Sequence, residues 1–290
     1  MFKKIEIMQA HQIDIRDKQK DSWNTFSPGW NKWDDFTMRF LQTQADQIIE
    51  QLNLNPNKSV LDIATGTGEP GLTIASIVHH GSVTAVDLSE GMLQIARKKA
   101  EKKALSNFNT QVADVCQLPF EDASFDAVSC RLGFMFFPDM QLAAKEIYRV
   151  LKPGGKLAIT VWGEPEKNLW ITALMGSIKR NVEIPNAPVD APGMFRCAQP
   201  GFMTSLFENA GIDGGEEIEI DGKMACSSSD EYWNFMNDVV PPVVSVFKNT
   251  DEVVLNIIKK EVYDLLEQKI PGTKKDISFG ARLFKAEKRI

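Results

Sequence analysis

The sequence predicts a Rossmann-like α/β fold, a mostly parallel sheet with helices on both faces and a mainly helical lid. Three observations predict it. From Lys58 to Trp162, short apolar runs alternate with amphipathic segments, the pattern of a parallel sheet flanked by helices. The first run leads into a glycine-rich turn, Gly66-x-Gly68-x-x-Gly71, that opens a helical stretch. Acids close or follow the first three runs, at Asp62, Asp87 and Asp114, where the strand ends of such a sheet meet ligands.

The elements follow in order. The first strand is expected over 59–63 and its helix over 72–78. A second strand over 82–86 leads to a helix over 90–103, with Ser89 placed to cap it. Strands at 110–112 and 125–130 come next. A helix over 139–151 is stopped by Lys152-Pro153-Gly154-Gly155, and 156–162 forms the fifth strand. Beyond it, 164–181, 200–209, 230–240 and 251–268 read as helices. The Pro-rich stretch 183–199 reads as a loop, 216–220 as a strand, and Pro241-Pro242 as a separator of two helices. Residues 277–287 alternate and are expected to return to the sheet. The domain organisation is then a helical lid segment (1–50), a core (51–220, with 164–200 partly lid), a helical insertion (221–276) and a closing strand (277–290). The first segment is dense in aromatics: Trp23, Phe26, Trp30, Trp33 and Phe36.

Composition excludes several classes. A hydrophobic fraction of 43% with 25% charged residues is that of a globular protein. The net charge of −6 disfavours non-specific binding to nucleic acid or anionic membrane. Lys98, Lys99, Lys102 and Lys103 are expected on a solvated helix face. Cys116, Cys130, Cys197 and Cys226 form no C-x-x-C pair, which argues against zinc or a disulfide framework and fits a reducing, cytoplasmic compartment. With only His11, His79 and His80, no metal site is expected. No apolar run approaches the roughly 20 residues that span a bilayer, and the first twenty residues do not read as a secretory signal. A small-molecule partner is expected, with no nucleic acid or stable membrane anchor; a homodimer stays open.

The glycine turn lets backbone approach a ligand closely, and the helix behind it offers N–H groups to an anion. That anion is either a dinucleotide pyrophosphate or an amino-acid carboxylate. Asp62 would repel a pyrophosphate but suits an α-ammonium; the plainer reading is that it caps backbone. Asp87 sits where an acid accepts both ribose hydroxyls, a feature shared by two nucleoside cofactors, NAD and S-adenosylmethionine. Asp114 lies where a carboxylate accepts from the adenine amino group, with the Val115 backbone beside it.

With these residues in place, the chain resembles the class I S-adenosylmethionine-dependent methyltransferases, within them the group related to the ubiquinone/menaquinone C-methyltransferases, with their type 11 methyltransferase domain. VLDIATGTGEPG (60–71), VTAVDLSEGML (83–93), ADVCQLPFEDASFDAV (113–128) and the Leu151–Lys156 turn match that group's ordered motifs. The resemblance implies cofactor contacts from Asp62, Thr65, Gly66, Gly68, Asp87, Leu88, Met92, Asp114, Val115 and Arg131. The loop after the fourth strand, 130–139, is implied to lie under the methionine part of the cofactor. Arg131 in it meets the cofactor carboxylate or an acidic acceptor, or pairs with Asp62 or Glu146. Trp30, Trp33, Phe134 and Met135 are candidates for the acceptor site, with core packing as their alternative. The activity implied is methyl transfer to oxygen or carbon of a small apolar or aromatic molecule, leaving S-adenosylhomocysteine. No clear general base is visible; His11 and Glu69 are the candidates. Two other classes stay open: an NAD-dependent oxidoreductase, against which Asp62, Asp114 and Leu118-Pro119-Phe120 speak, and a non-catalytic S-adenosylmethionine-binding protein.

Overall fold

The computed structural model describes residues 8–184 and 191–289. Three helices lead the chain: α1 (Ala10–Lys32), α2 (Asp34–Phe40) and α3 (Gln42–Leu52). The core then alternates β1 (Ser59–Ile63), α4 (Gly71–Ile77), β2 (Ser82–Asp87), α5 (Glu90–Lys102), β3 (Phe108–Val112), β4 (Phe125–Arg131), α6 (Met140–Val150) and β5 (Leu151–Trp162). After it come α7 (Leu169–Asn181), α8 (Phe202–Glu208), β6 (Glu216–Cys226), α9 (Ser229–Val239), α10 (Pro241–Lys248), α11 (Glu252–Lys269) and β7 (Lys275–Glu287).

The strands form one sheet in the order β3-β2-β1-β4-β5-β7-β6. The first five are parallel, and β7 runs antiparallel to both β5 and β6. Val60, Leu61, Val83, Ala85, Val128 and Ile159 have no solvent exposure, because helices cover both faces of the central parallel strands, whereas the edge strand β3 is mostly exposed. Caps fix where the flanking helices begin. The Ser89 hydroxyl accepts from Met92 N at 3.1 Å to start α5, and Asp139 accepts from Leu142 N at 2.8 Å to start α6.

The expected mostly parallel α/β architecture is the one observed, and three local readings change. Lys152–Gly155 lies inside β5 as a bulge: the β4–β5 register runs Phe125↔Leu151 and then Ala127↔Lys156. The strand expected at 216–220 runs on to Cys226, which places 221–226 in the sheet. Gly222 interrupts its alternation because it leaves room for the Phe279 ring directly opposite. Pro241 does not merely separate helices; it opens α10, where a missing N–H costs nothing. Part of the 183–199 loop, 185–190, lies outside the described residues.

Strand order reverses between β1 and β4, so a crevice opens at the carboxyl ends of those strands. The glycine turn leaves β1 directly into that crevice.

Candidate cofactor and acceptor site

Each glycine of the turn has its own reason. Gly66 and Gly68 adopt left-handed φ angles of +55° and +109°. A Cβ on Gly66 would meet no atom within 4 Å, so this position faces open space. A Cβ on Gly68 would lie 2.7 Å from the Leu72 side chain and 3.2 Å from Ala96, so this glycine permits tight packing of loop against helix. One on Gly71 would lie 2.7 Å from Asp62 Oδ2.

Asp62 is fully enclosed. Its Oδ2 accepts from the Thr65 hydroxyl at 2.6 Å and the Gly71 N–H at 3.2 Å, and its Oδ1 accepts from the Ser129 hydroxyl at 2.6 Å. The carboxylate therefore braces β1, β4 and the start of α4 from behind the crevice wall. Burial pushes its pKa up to about 6, opposed by the two hydroxyls and by the charge of Arg131.

A cavity of about 610 Å³ fills the crevice. Of the ten residues implied to hold the cofactor, all but Asp62 and Gly68 line it. Asp87 Oδ2 accepts from Gly66 N at 2.9 Å and Oδ1 from Ser89 N at 2.8 Å. Burial raises its pKa while these amides pull it down. Each oxygen retains a lone pair for a diol. Asp114 Oδ1 accepts from Cys116 N at 2.9 Å; its Oδ2 is buried, has no hydrogen-bond partner, and stands 3.7 Å from Arg16. Such an orphaned acceptor fits an exocyclic amine. Arg131 forms no ion pair among the described residues; its Nη1 donates to the Leu41 carbonyl at 3.5 Å, and Glu146 is taken by Arg149. Burial pulls the guanidinium pKa down, while the charges of Glu69, Asp62 and Asp34 oppose this. The open donors and acceptors, a diol acceptor, an amine acceptor and a guanidinium, fit S-adenosylmethionine.

The N-terminal helices roof this half of the cavity. Gln12 donates to Asp139 at 2.9 Å, and Asn24 Oδ1 accepts from the Ser89 hydroxyl at 2.8 Å and Gly91 N at 3.0 Å. Asp34 pairs with Lys99 at 2.9 Å. Lys99 is thus a lid tether, not part of a solvated face, because α1 and α2 cover that side of α5. Trp23 meets Phe136 edge-on at 5.5 Å and Trp30 at 6.1 Å. The opposite half is aromatic: Phe40, Trp162, Trp170 and Phe235 line it, with Phe40 5.2 Å from Trp170 and 5.9 Å from Trp162.

The remaining candidates separate. Trp30 lines the cavity, but Trp33 does not: its Nε1 donates to Asp238 at 2.7 Å and its ring packs on Phe36 and Phe235. Phe134 and Met135 have no exposure and turn into the core, Phe134 against Phe137 and Phe207. Their neighbours Phe136 and Phe137 line the cavity, since the loop makes a short 3-10 turn that rotates successive side chains to different sides. His11 is exposed on α1, away from the cavity lining. Glu69 lines the cavity, but it accepts from Thr73 N and Oγ1 at 3.1 and 2.8 Å and pairs with Lys103 at 3.4 Å. Sequence reasoning missed Thr37, Phe40, Trp162, Trp170 and Phe235. Trp162 carried a signal, its place at the carboxyl end of the fifth strand; the others come together only through packing of the lid helices.

Residues 61–159 match the methyltransferase domain family. The chain is 42% identical over 110 residues to a demethylmenaquinone methyltransferase of Thermus thermophilus, covering 38% of this chain and 50% of that protein. It is 33% identical over 156 residues to a ubiquinone/menaquinone biosynthesis C-methyltransferase of Geotalea daltonii, covering 51% and 65%. The chain thus spans about half to two-thirds of the length of these relatives. Its fold is similar to a Haemonchus contortus phosphoethanolamine N-methyltransferase in complex with S-adenosylhomocysteine, with a TM-score of 0.53 at 20% identity, covering 85% of this chain and 52% of that one. The matched stretch runs from β1 to β5 and contains the glycine turn, Asp87 and Asp114 around one cavity at the strand-order reversal. The stretch 61–159 of this chain is therefore similar to the methyltransferase domain family, and its motifs gather around that one cavity.

Proposed function

We propose that this protein transfers the methyl group of S-adenosylmethionine to oxygen or carbon of a small, flat, mostly apolar ring compound. The observation that carries the reading is the division of one cavity into a half with polar groups for a nucleoside and a half walled by Phe40, Trp162, Trp170 and Phe235. In this reading Asp87 accepts the ribose hydroxyls, Asp114 Oδ2 the adenine amine, and Arg131 meets the methionine carboxylate. When bound, the cofactor supplies an electrophilic methyl on a sulfonium. The chain's part is to align the acceptor and exclude water. Alignment of that kind lowers barriers by up to roughly 7–11 kcal/mol, and the aromatic wall favours a stacked ring. The relatives named for menaquinone and ubiquinone support a quinol-like acceptor. A hydride-transfer reading has no comparable support.

The net charge of −6 supports a free small molecule over nucleic acid as partner. Four unpaired thiols support a reducing, cytoplasmic setting, and a homodimer is compatible with this reading. Among the described residues, no helix is long and apolar enough to cross a membrane.

Calorimetry with S-adenosylmethionine and NAD, followed by a labelled-methyl screen of phenols, quinols, carboxylic acids and amines, tests the proposal. Micromolar binding of S-adenosylmethionine and label in a phenol or quinol are expected. Binding of NAD alone would overturn the reading. Asp87→Ala is expected to weaken S-adenosylhomocysteine binding by about 1.5–3 kcal/mol, the value of hydrogen bonds to a charged group.

A further inference from the structure

Trp170 lines the acceptor half of the cavity, and its indole N–H is turned away from that space. Nε1 donates to Asn168 Oδ1 at 3.0 Å, and Asn168 has no solvent exposure and lies outside the cavity lining. We propose that Asn168 is a positioning residue that sets acceptor specificity: it holds the Trp170 N–H behind the wall, so that the acceptor edge seated on Trp170 is a ring edge free of hydrogen-bonding atoms. This rests on the methyltransferase reading above and narrows the acceptor class at one edge.

The Asn168 amide is fully engaged. An indole N–H only donates, which fixes Oδ1 as the atom that faces it. Oδ1 also accepts from Gly280 N at 3.3 Å, while Nδ2 donates to the Gly280, Glu164 and Gly163 carbonyls at 2.9, 3.0 and 3.3 Å. The amide thus ties the turn after β5 to β7 and to the start of α7. A Cβ on Gly280 would lie 2.6 Å from Lys167 Cβ, so a glycine is what lets β7 come this close. The Trp170 carbonyl is held as well, by the Tyr232 hydroxyl of α9 at 2.8 Å. Phe235, almost one turn further along α9, is another ring of the wall.

The state of that N–H decides what Trp170 offers a ligand. Left unpaired, it would draw a lone pair of the acceptor toward it; spent on Asn168, it leaves only the apolar ring. Trp170 also packs against Trp162 at 4.9 Å and Phe40 at 5.2 Å, so the amide sets the pose of one ring among packed neighbours. An acceptor carrying oxygen or nitrogen against Trp170 would bury that atom with no donor there, which is unfavourable. Of two acceptors of equal shape, the one with carbon at that edge is preferred.

The test uses the full chain saturated with S-adenosylhomocysteine, with naphthalene and quinoline as probes, fused rings of one shape that differ by a ring nitrogen. In protein carrying isotope-labelled tryptophan, the Trp170 indole proton is identified by its loss in Trp170→Phe. It is expected to exchange roughly a hundredfold slower than in free tryptophan, and to show the same shift with either probe bound. Asn168→Leu is expected to move the ratio of naphthalene to quinoline affinity roughly threefold toward quinoline, the value of one neutral hydrogen bond. In a Trp170→Phe background the same substitution should leave the ratio unchanged, because the N–H that it would release is gone. A purely structural role would change both affinities together and keep the ratio. A Trp170 indole proton that exchanges as fast as in free tryptophan, or that quinoline shifts and naphthalene does not, would overturn the proposal on the unaltered protein alone. So would a ratio unmoved by Asn168→Leu, or one moved equally with and without the Trp170 indole. With S-adenosylhomocysteine bound, those outcomes leave the methyltransferase reading standing; failure of S-adenosylhomocysteine to bind would overturn both.

Discussion

Asn24 of the N-terminal helix and Ser89, the residue that caps α5, share a 2.8 Å hydrogen bond, and the same Asn24 oxygen takes the Gly91 N–H at 3.0 Å. Ser89 in turn accepts from Met92 N. One side-chain oxygen thus fastens the roof to the capped end of α5, beside the residue placed to bind ribose.

Asn24→Ala removes both bonds and leaves two donors to find water. The expected cost to roof docking is about 1–2 kcal/mol. Stopped-flow tryptophan fluorescence should show S-adenosylhomocysteine leaving roughly tenfold faster, since about 1.4 kcal/mol is a factor of ten. An unchanged release rate would mean that the roof does not gate the pocket.

Two glycine substitutions should separate binding from stability. Gly66→Ala places a methyl in the open cavity at φ +55°, where nothing lies within 4 Å. It should cost about 1–2 kcal/mol of stability for the left-handed backbone and weaken S-adenosylhomocysteine more than tenfold. Gly71→Ala drives a methyl to 2.7 Å from Asp62 Oδ2 and 3.0 Å from the Phe108 ring. It should destabilise the fold by about 1–3 kcal/mol through overpacking. Thermal melts and calorimetry on both variants check the contrast, and equal effects on the two readouts would refute it.

The buried carboxyl of Asp62 gives stability an unusual pH dependence. Its folded pKa, about 6, lies above its ordinary 3.8. The folded state therefore holds the proton more tightly, and this contribution is complete below pH 3.8 and lost as pH rises through about 6. A shift of that size is worth about 3 kcal/mol at 1.36 kcal/mol per unit. Asp126 and Asp238, lowered by lysine partners and by backbone or indole N–H donors, act with the opposite sign and only below the ordinary Asp value. Asp62→Asn should reduce the decline between pH 4 and 6 relative to the parent protein, leaving the part that comes from Asp87, whose pKa burial also raises, measured by urea unfolding at intervals of half a pH unit. Parallel profiles for the two proteins would contradict the assignment.

The core was legible because its signals are local. A mostly apolar strand, a glycine turn and a capped helix each depend on residues near one another; β1 to β4 fall close to where the alternation puts them, and β5 starts earlier, at Leu151. Asp87 and Asp114 were legible for the same reason, each being an acid next to a strand end. The acceptor wall was not, because Phe40, Trp162, Trp170 and Phe235 are brought together from four elements up to about two hundred positions apart. Asp62 shows a different limit. Its residue type and position were readable, but its enclosure depends on Ser129 in the neighbouring strand. The run Phe134–Phe137 shows a third, since composition cannot say which rings of a 3-10 turn face inward.

All four of those wall residues lie outside 61–159, the stretch matched by the methyltransferase domain family. The proposed acceptor wall is therefore carried by lengths of chain outside the matched stretch, whereas the proposed nucleoside half draws on both that stretch and the N-terminal helices. Wall positions on α2, α7 and α9 and at the end of β5 can exchange side chains without touching Asp87 or Asp114. A chimera with 61–159 from this protein and flanks from a quinone-modifying relative should take on the relative's choice of ring, and should keep this protein's cofactor affinity only where the new N-terminal helix restores the Asn24 contacts to Ser89 and Gly91. Variation in this architecture is modular: one inherited engine, with specificity rewritten at its margins.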